Sequence, residues 1–250
     1  GSVMGTYIGM LGGTDPAAKV LFATHLLSAS VMAVPGSIVL AKMLCPQTEE
    51  ATDHVAISGK EKENSNILDA ISSGTVTGVK LMTNIAAMLL VFISLVALAN
   101  YITEGVIGRY TGLNDWIVKI TDGKAQGLTF QFILGVITSP FMWLIGVPSQ
   151  DIMLVGSLLG QKTILNEFVA YFQLQQWKDA GLFMYEKSIL MSTYILCGFA
   201  NISSIGILLG GLGVLAPEKR GLISRIGLPA MIGGALVSVL SATIIGMILG

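Results

Sequence analysis

The chain has 250 residues, 53% of them hydrophobic and only 12% charged, with a net charge of −1 and a mean hydropathy of +0.76. Soluble domains carry about 25% charged residues, so this composition argues for a membrane setting, and the near-neutral charge argues against nucleic acid as a partner. Leu81–Ile102, Ser188–Pro217 and Ile226–Gly250 contain no Asp, Glu, Lys or Arg, and each exceeds the ~20 residues needed to cross a hydrocarbon core.

In chain order, residues 1–11 are apolar and then break at Gly12-Gly13-Thr14-Asp15-Pro16. A segment this short cannot span a bilayer. The expectation is therefore that the chain begins inside a helix whose first half precedes Gly1. Residues 17–44 are the first complete span, with Asp15 as N-cap, Pro16 in the first turn and Pro35-Gly36 as a kink or loosening point. His25 on this helix reads as packed or hydrogen-bonded, with a proton or substrate role as the alternative. Residues 46–78 read as a solvated loop that could carry a surface helix; Lys60-Glu61-Lys62-Glu63 is a mixed-sign wet face. Residues 79–102 form the next span, with Asn84 and Asn100 at its ends or bonded to a neighbour. Glu104–Gln126 is a polar connection in which Trp116 could anchor at the interface.

Residues 127–174 are hydrophobic but broken. Phe130–Ile145 is too short for a comfortable span. It meets the turn-forming cluster Gly146-Val147-Pro148-Ser149-Gln150-Asp151, with an N-cap signature at Ser149, and a second half follows over Ile152–Leu174. Two short halves around a Gly-Pro tip read as a re-entrant helical hairpin, with a pair of ordinary short spans as the alternative. Glu167 lies in that second half. A carboxylate in hydrocarbon costs roughly 2.5–3.5 kcal/mol on insertion scales, so it marks a functional site by default. The plainer alternative is a helix-end charge in interfacial water, with Lys162 and Lys178 nearby. Residues 187–215 are a long span weakened in the middle by Gly198, Asn201, Ser203, Ser204 and Gly206, which could unwind to expose backbone groups to a ligand. Residues 221–250 are the last span. Cys45 and Cys197 lie far apart on apolar segments and read as packing residues.

The segment from Ser203 echoes the segment from Ser2: in each, Gly follows the Ser after three residues and again four further on. Weak repeats with interrupted helices mark inverted-repeat secondary transporters, with the substrate site at the repeat interface. The alternative is chance small-residue packing. The fold class expected is thus an all-α integral membrane protein, an inverted-repeat secondary transporter with a re-entrant hairpin and interrupted helices. The basic loop containing Lys219, Arg220 and Arg225 belongs in the cytoplasm by the positive-inside rule. This places residues 46–78 inside, and Gln175–Glu186 with the hairpin mouth outside.

Gly160-Gln161-Lys162, Asn166-Glu167-Phe168-Val169-Ala170-Tyr171, Cys197-Gly198-Phe199-Ala200-Asn201 and Ser204-Ile205-Gly206 closely resemble the concentrative nucleoside transporter family. Ala33-Val34-Pro35-Gly36 and Ser241-Ala242-Thr243 extend the resemblance over the whole chain. It implies a homotrimer of scaffold and transport domains and ion-coupled nucleoside uptake, uridine for example, across the cell membrane. Na+ is the family's usual coupling ion and H+ the alternative. Glu167, Asn201 and Ser204 match ribose-binding positions, Val3 a nucleobase-pocket position and Phe199 an aromatic near the substrate. A vicinal diol suits a carboxylate, which accepts two charge-assisted hydrogen bonds, and Asn supplies both donor and acceptor.

The family's Gly-Gln-Thr-Glu hairpin motif and its sodium ligands are expected upstream of Gly1, so no metal ligand is assigned within the chain. Gln47-Thr48-Glu49 is a decoy at a helix end. Without the first hairpin, Glu167, Asn201 and Ser204 are expected either to face a wet cleft or to bond one another. The competing readings are a transporter of the same architecture with a different substrate, and a membrane-embedded enzyme using Glu167. The chain lacks HExxH, paired intramembrane aspartates and a plausible Ser–His pairing, so no enzyme activity is assigned.

Overall fold

The structure, a computed structural model, describes residues 2–46, 66–121, 123, 125–202, 204–208 and 217–250. Within these, regular structure is entirely helical. Gln47-Thr48-Glu49, Lys60–Glu63, Ser203 and residues 209–215 lie outside the described residues, as does the side chain of Asn84.

Helix α1 covers Ser2–Gly12 and α2 Pro16–Leu44. Asp15 caps α2, its Oδ1 accepting from the Ala17 amide at 2.9 Å, with Pro16 in the first turn. Pro35 lies inside α2, which remains one helix to Leu44. Among its buried residues are Phe22, Leu26 and Ala29, whereas Val20, Leu27, Val31, Ile38 and Met43 are exposed. A helix apolar on most of its circumference with so narrow a buried stripe does not suit water.

Helix α3 spans Ile67–Asn100, capped by Asn66, whose Oδ1 accepts from the Asp69 amide. The helix expected from residue 79 therefore starts at Ile67, inside the segment read as loop. Its polar and small residues hid a helix that Asn66 initiates. Past Asn100 the coil widens to a π-helix over Tyr101–Gly108, so the span does not stop at residue 102. Helix α4 is Leu113–Ile120, and Trp116 on it is exposed. Asn100 ties α3 to α5, Phe130–Leu144: its Oδ1 accepts from the Phe130 amide at 2.7 Å and its Nδ2 donates to Gln131.

Helix α6 is Ile152–Ile164 and α7 is Glu167–Asp179. The α5–α6 pair is antiparallel and tight. A Cβ at Gly156 would lie 2.6 Å from Thr138 Oγ1, and one at Gly160 2.6 Å from Leu134 Cβ. Here the structure departs from the sequence reading, since Ile152–Leu174 is not one helix. The chain breaks at Leu165 and Asn166, where no Gly or Pro announces it. Asn166 has extended backbone, and its Oδ1 accepts from the Val169 amide at 2.9 Å as the N-cap of α7.

The chain also reverses there. Asp151, at the start of α6, accepts from the amides of Met184 and Tyr185, just beyond the end of α7, at 3.0–3.2 Å. Two collinear helices of this length would hold those ends about 40 Å apart. The α6–α7 unit is thus a second hairpin, and its tip carries Glu167. Ser149 is not the cap of α6: its hydroxyl donates to Gln150 Oε1, and Asp151 holds the cap position.

Helix α8, Glu186–Leu196, ends at a break, and helical backbone resumes at 202 and runs through 204–208. A 3-10 turn at Pro217–Lys219 leads into α9, Arg220–Ile248. Helix α9 packs closely on α2 and α8: a Cβ at Gly36 would lie 3.2 Å from Val237, and one at Gly246 2.8 Å from Met191. Two cores result. One gathers Tyr7, Leu11, Leu26, Leu158, Tyr171 and Leu174, and the other Met142, Val155, Met191, Tyr194, Ile195 and Ala242. The α8 break adjoins both, since Tyr171 of the first core and Ile195 of the second each take part in its hydrogen bonds. Among the described residues, α2 and α9, 29 residues each, are long and apolar enough to cross a membrane.

Candidate functional site

Glu167 is the first residue of α7, and its side chain is 5% exposed. Carboxylates are stabilised at helix N-termini by the exposed amides and dipole there. Across from it the α8 break is built around Gly198, whose φ of 128° an L-residue rarely adopts. The break ends at Asn201, which starts the following helix: its Oδ1 accepts from the Ser204 amide at 2.7 Å, and Ser204 Oγ donates to its carbonyl at 2.6 Å. With Oδ1 so engaged, Nδ2 points the other way and donates to Glu167 Oε2 at 2.8 Å. Asn201 is 1% exposed and Ser204 4%. Of the two outcomes expected for these polar groups, the structure holds the second: they bond one another.

The end of α8 leaves carbonyls that the helix itself cannot satisfy. Three are taken up one by one. Tyr171 Oη donates to the Thr193 carbonyl at 2.8 Å, the Cys197 amide to Tyr194 at 3.1 Å, and Lys162 Nζ to Ile195 at 2.8 Å. Ser238 Oγ of α9 lies within hydrogen-bonding distance of both Lys162 Nζ and the Cys197 carbonyl, at 2.9 Å each. Lys162 is 0% exposed. Glu167 and the neighbouring Lys162 are both buried, so neither is a helix-end charge in interfacial water.

Of the five residues singled out from sequence, the structure joins Glu167, Asn201 and Ser204. Val3 and Phe199 stay outside that bonded group. Val3 is 47% exposed on α1, one turn before Tyr7, whose ring stacks on Tyr171 at 4.1 Å between centroids. Phe199 is 61% exposed and faces an apolar groove of about 400 Å³ lined also by Ala33, Val34, Ser204 and Met231. His25 Nδ1 lies 3.1 Å from Tyr194 Oη, the hydrogen-bonded role of its two readings. Both cysteines are free. Sequence reasoning missed Lys162, Tyr7, Tyr171 and Ser238 as builders of the site. The one available signal was Lys162 itself, a charge in an otherwise uncharged helix.

The profile of the Na+ dependent nucleoside transporter C-terminus matches residues 25–246. The chain belongs to the Na+ dependent nucleoside transporter family. Relatives within or close to the family agree. The chain is 37% identical over 262 residues to sodium/nucleoside cotransporter 1 of Rattus norvegicus, covering 99% of this chain and 37% of that protein. It is 36% identical to nucleoside permease NupC of Helicobacter pylori, covering 90% and 51%. It is 38% identical to an uncharacterized transporter of Haemophilus influenzae, covering 100% and 55%. CNTnw in an inward-facing substrate-bound state superposes with a TM-score of 0.76 at 36% identity, covering 100% of this chain and 54% of that one. An asparagine-to-leucine variant of CNTnw in an intermediate state gives 0.81, covering 99% and 55%. The chain therefore spans about half the length of these transporters or less.

Proposed function

We propose that this chain supplies the ribose-binding half of an ion-coupled nucleoside transporter, a multi-pass protein of the cell membrane working by alternating access. The observation that carries the reading is the Glu167–Asn201 hydrogen bond, made at 2.8 Å where a hairpin tip meets a broken helix. Helix ends at such a junction leave directed polar groups at membrane depth, where a substrate can use them. Glu167 accepts hydrogen bonds from the ribose hydroxyls. Asn201 and Ser204 supply the remaining donor and acceptor, opening their mutual bonds to do so. Val3 borders the nucleobase and Phe199 the path beside it.

In this reading the α6–α7 hairpin is re-entrant, the architecture is an inverted repeat and the assembly a homotrimer in the lipid bilayer. Na+ is the coupling ion and H+ the alternative. The names of the relatives support nucleosides as the substrate class, and no enzymatic step is involved.

The test is uridine uptake by the protein carrying this chain, wild type against Glu167→Gln. An amide replaces a carboxylate acceptor by a group with a donor face. A charged hydrogen bond contributes roughly 1.5–3 kcal/mol, or about tenfold to over a hundredfold in affinity. 2′-Deoxy analogues should lose less in the variant than in the wild type. Unchanged uridine uptake by Glu167→Gln would remove the site assignment. Uptake followed in Na+ and in choline medium at fixed pH, then across a pH step, separates sodium from proton coupling.

A further inference from the structure

Lys162 is 0% exposed, as among the described charged residues only Asp151 also is, and nothing in ribose recognition calls for it. It leaves the last turn of α6, one turn before the hairpin tip, and reaches away from α6. Its ammonium donates to the Ile195 carbonyl at 2.8 Å and sits 2.9 Å from Ser238 Oγ. Among the described residues no carboxylate forms an ion pair with it. The charge is met instead by the carbonyl end of α8, where a helix presents partial negative charge.

Transporters built on discontinuous helices use the same chemistry differently: half-helix C-termini and unwound carbonyls there coordinate a dissociable cation. Here a side chain brings the cation. The position is also a junction. Lys162 joins α6 to the end of α8, and Ser238 joins α9 to the first carbonyl of the break, that of Cys197, at 2.9 Å. A Cβ at Gly198 would lie 3.2 Å from Ser238 Oγ and 3.9 Å from Lys162 Nζ. The side chains thus close directly over the residue whose positive φ turns the chain toward Asn201.

We propose that Lys162 is a tethered cation that replaces a dissociable ion at the α8 break, and that it acts as a positioning residue by holding the break in the shape that sets Asn201 against Glu167. The proposal rests on the nucleoside site described above for its binding consequence, but not for its structural one. With Lys162 in place, the carbonyl end of α8 is closed to a dissociable cation.

The experiment uses the protein carrying this chain, in lipid nanodiscs at fixed saturating Na+, with Lys162→Ala, Lys162→Met and Lys162→Arg. Propylammonium restores the atoms that Lys162→Ala removes, with choline as the ionic-strength control. Uridine affinity and melting temperature are both read. Lys162→Ala should bind uridine at least about tenfold more weakly, as expected for loss of charged hydrogen bonds. Propylammonium should recover most of that loss and raise the melting temperature. Lys162→Met should be as weak and unresponsive, because its side chain fills the space without a charge. Lys162→Arg should lie between it and the wild type, and the wild type should not respond.

Uridine affinity in Lys162→Met within about twofold of wild type would overturn the proposal, since the charge would then be dispensable. So would a folded, weakened Lys162→Ala that propylammonium leaves unchanged. If Lys162→Ala does not fold, Lys162→Met and Ser238→Ala carry the binding test, and both must be weakened. If the wild type does not bind uridine, the nucleoside reading fails by itself. The tethered cation is then decided by melting temperature alone, being upheld by propylammonium-specific stabilisation of Lys162→Ala and overturned without it.

Discussion

The two helix breaks that meet at Glu167 are made in opposite ways. At Leu165–Asn166 the chain reverses, and the break is capped locally: Asn166 bonds the amide three residues on. At Cys197–Asn201 the chain passes through without reversing, and its carbonyls are taken up by side chains distant in sequence. Tyr171 comes from α7, Lys162 from α6 and Ser238 from α9. The first break is a property of a few adjacent residues. The second has local bonds as well, Cys197 to Tyr194 and Ser204 to Asn201, but adds to them partners from three other helices. A site assembled this way is coupled to the packing of the whole unit: moving the hairpin tip moves Lys162 and Tyr171, and with them the partners of the α8 end.

The largest effect is expected at Gly198, where the second break takes a conformation that L-residues rarely adopt. Gly198→Ala places a side chain at φ 128° and within 3.2 Å of Ser238 Oγ. Backbone strain of this kind costs about 1–3 kcal/mol, and displacing Ser238 adds to it. The variant should lose about 3 kcal/mol of stability in chemical denaturation and most of its uridine affinity. Ala200→Gly, two residues along the same break, should be far milder. Equal losses in the two would show that the shape of the break, and not Gly198 in particular, is what the site tolerates least.

The contrast also explains what the sequence could and could not reveal. Glu167 stood out because a carboxylate in an apolar helix is costly unless used, and Asn201 and Ser204 because they weaken the helix that carries them, their place at the site being what the resemblance implied. The turn at Gly146–Asp151 was legible because Gly and Pro punctuate it. The reversal at Leu165–Asn166 was not, since Asn166 reads equally well as a helix residue and only the contact between Asp151 and Met184 fixes the fold-back. Lys162 was given no role because its partners, Ile195 and Ser238, lie 33 and 76 residues away. The start of α3 at Ile67 was missed because small and polar residues there carry no apolar period, while Asn66 supplies the cap.

A middle-sized effect should follow from Tyr171→Phe. The ring remains stacked on Tyr7, but the Thr193 carbonyl loses its donor in a buried setting. An unsatisfied buried acceptor costs about 1–3 kcal/mol, so a loss of about 2 kcal/mol in the unfolding free energy from chemical denaturation is expected. Tyr7→Phe, which keeps the stack, should not reproduce that loss of the α8 partner. If Tyr171→Phe is as stable as wild type, the α8 end does not depend on α7, and the two breaks are less different than their hydrogen bonds indicate.

The smallest effect should come from the local break and is the cleanest separation of the two. Asn166→Ala removes a single N-cap, worth about 1 kcal/mol. Asn166→Ser offers the same acceptor to the Val169 amide and should recover most of it, because a cap needs only an oxygen at that place. Asn166→Asp caps equally well but sets a second carboxylate beside Glu167. It should therefore keep the stability of Asn166→Ser while lowering uridine affinity below it. Interchangeable caps would confirm that the reversal is written in the few residues around Asn166. If Asn166→Ser is no better than Asn166→Ala, the tip is held from a distance too, by Lys162 and the packing of Tyr171, and the whole junction behaves as one cooperative unit.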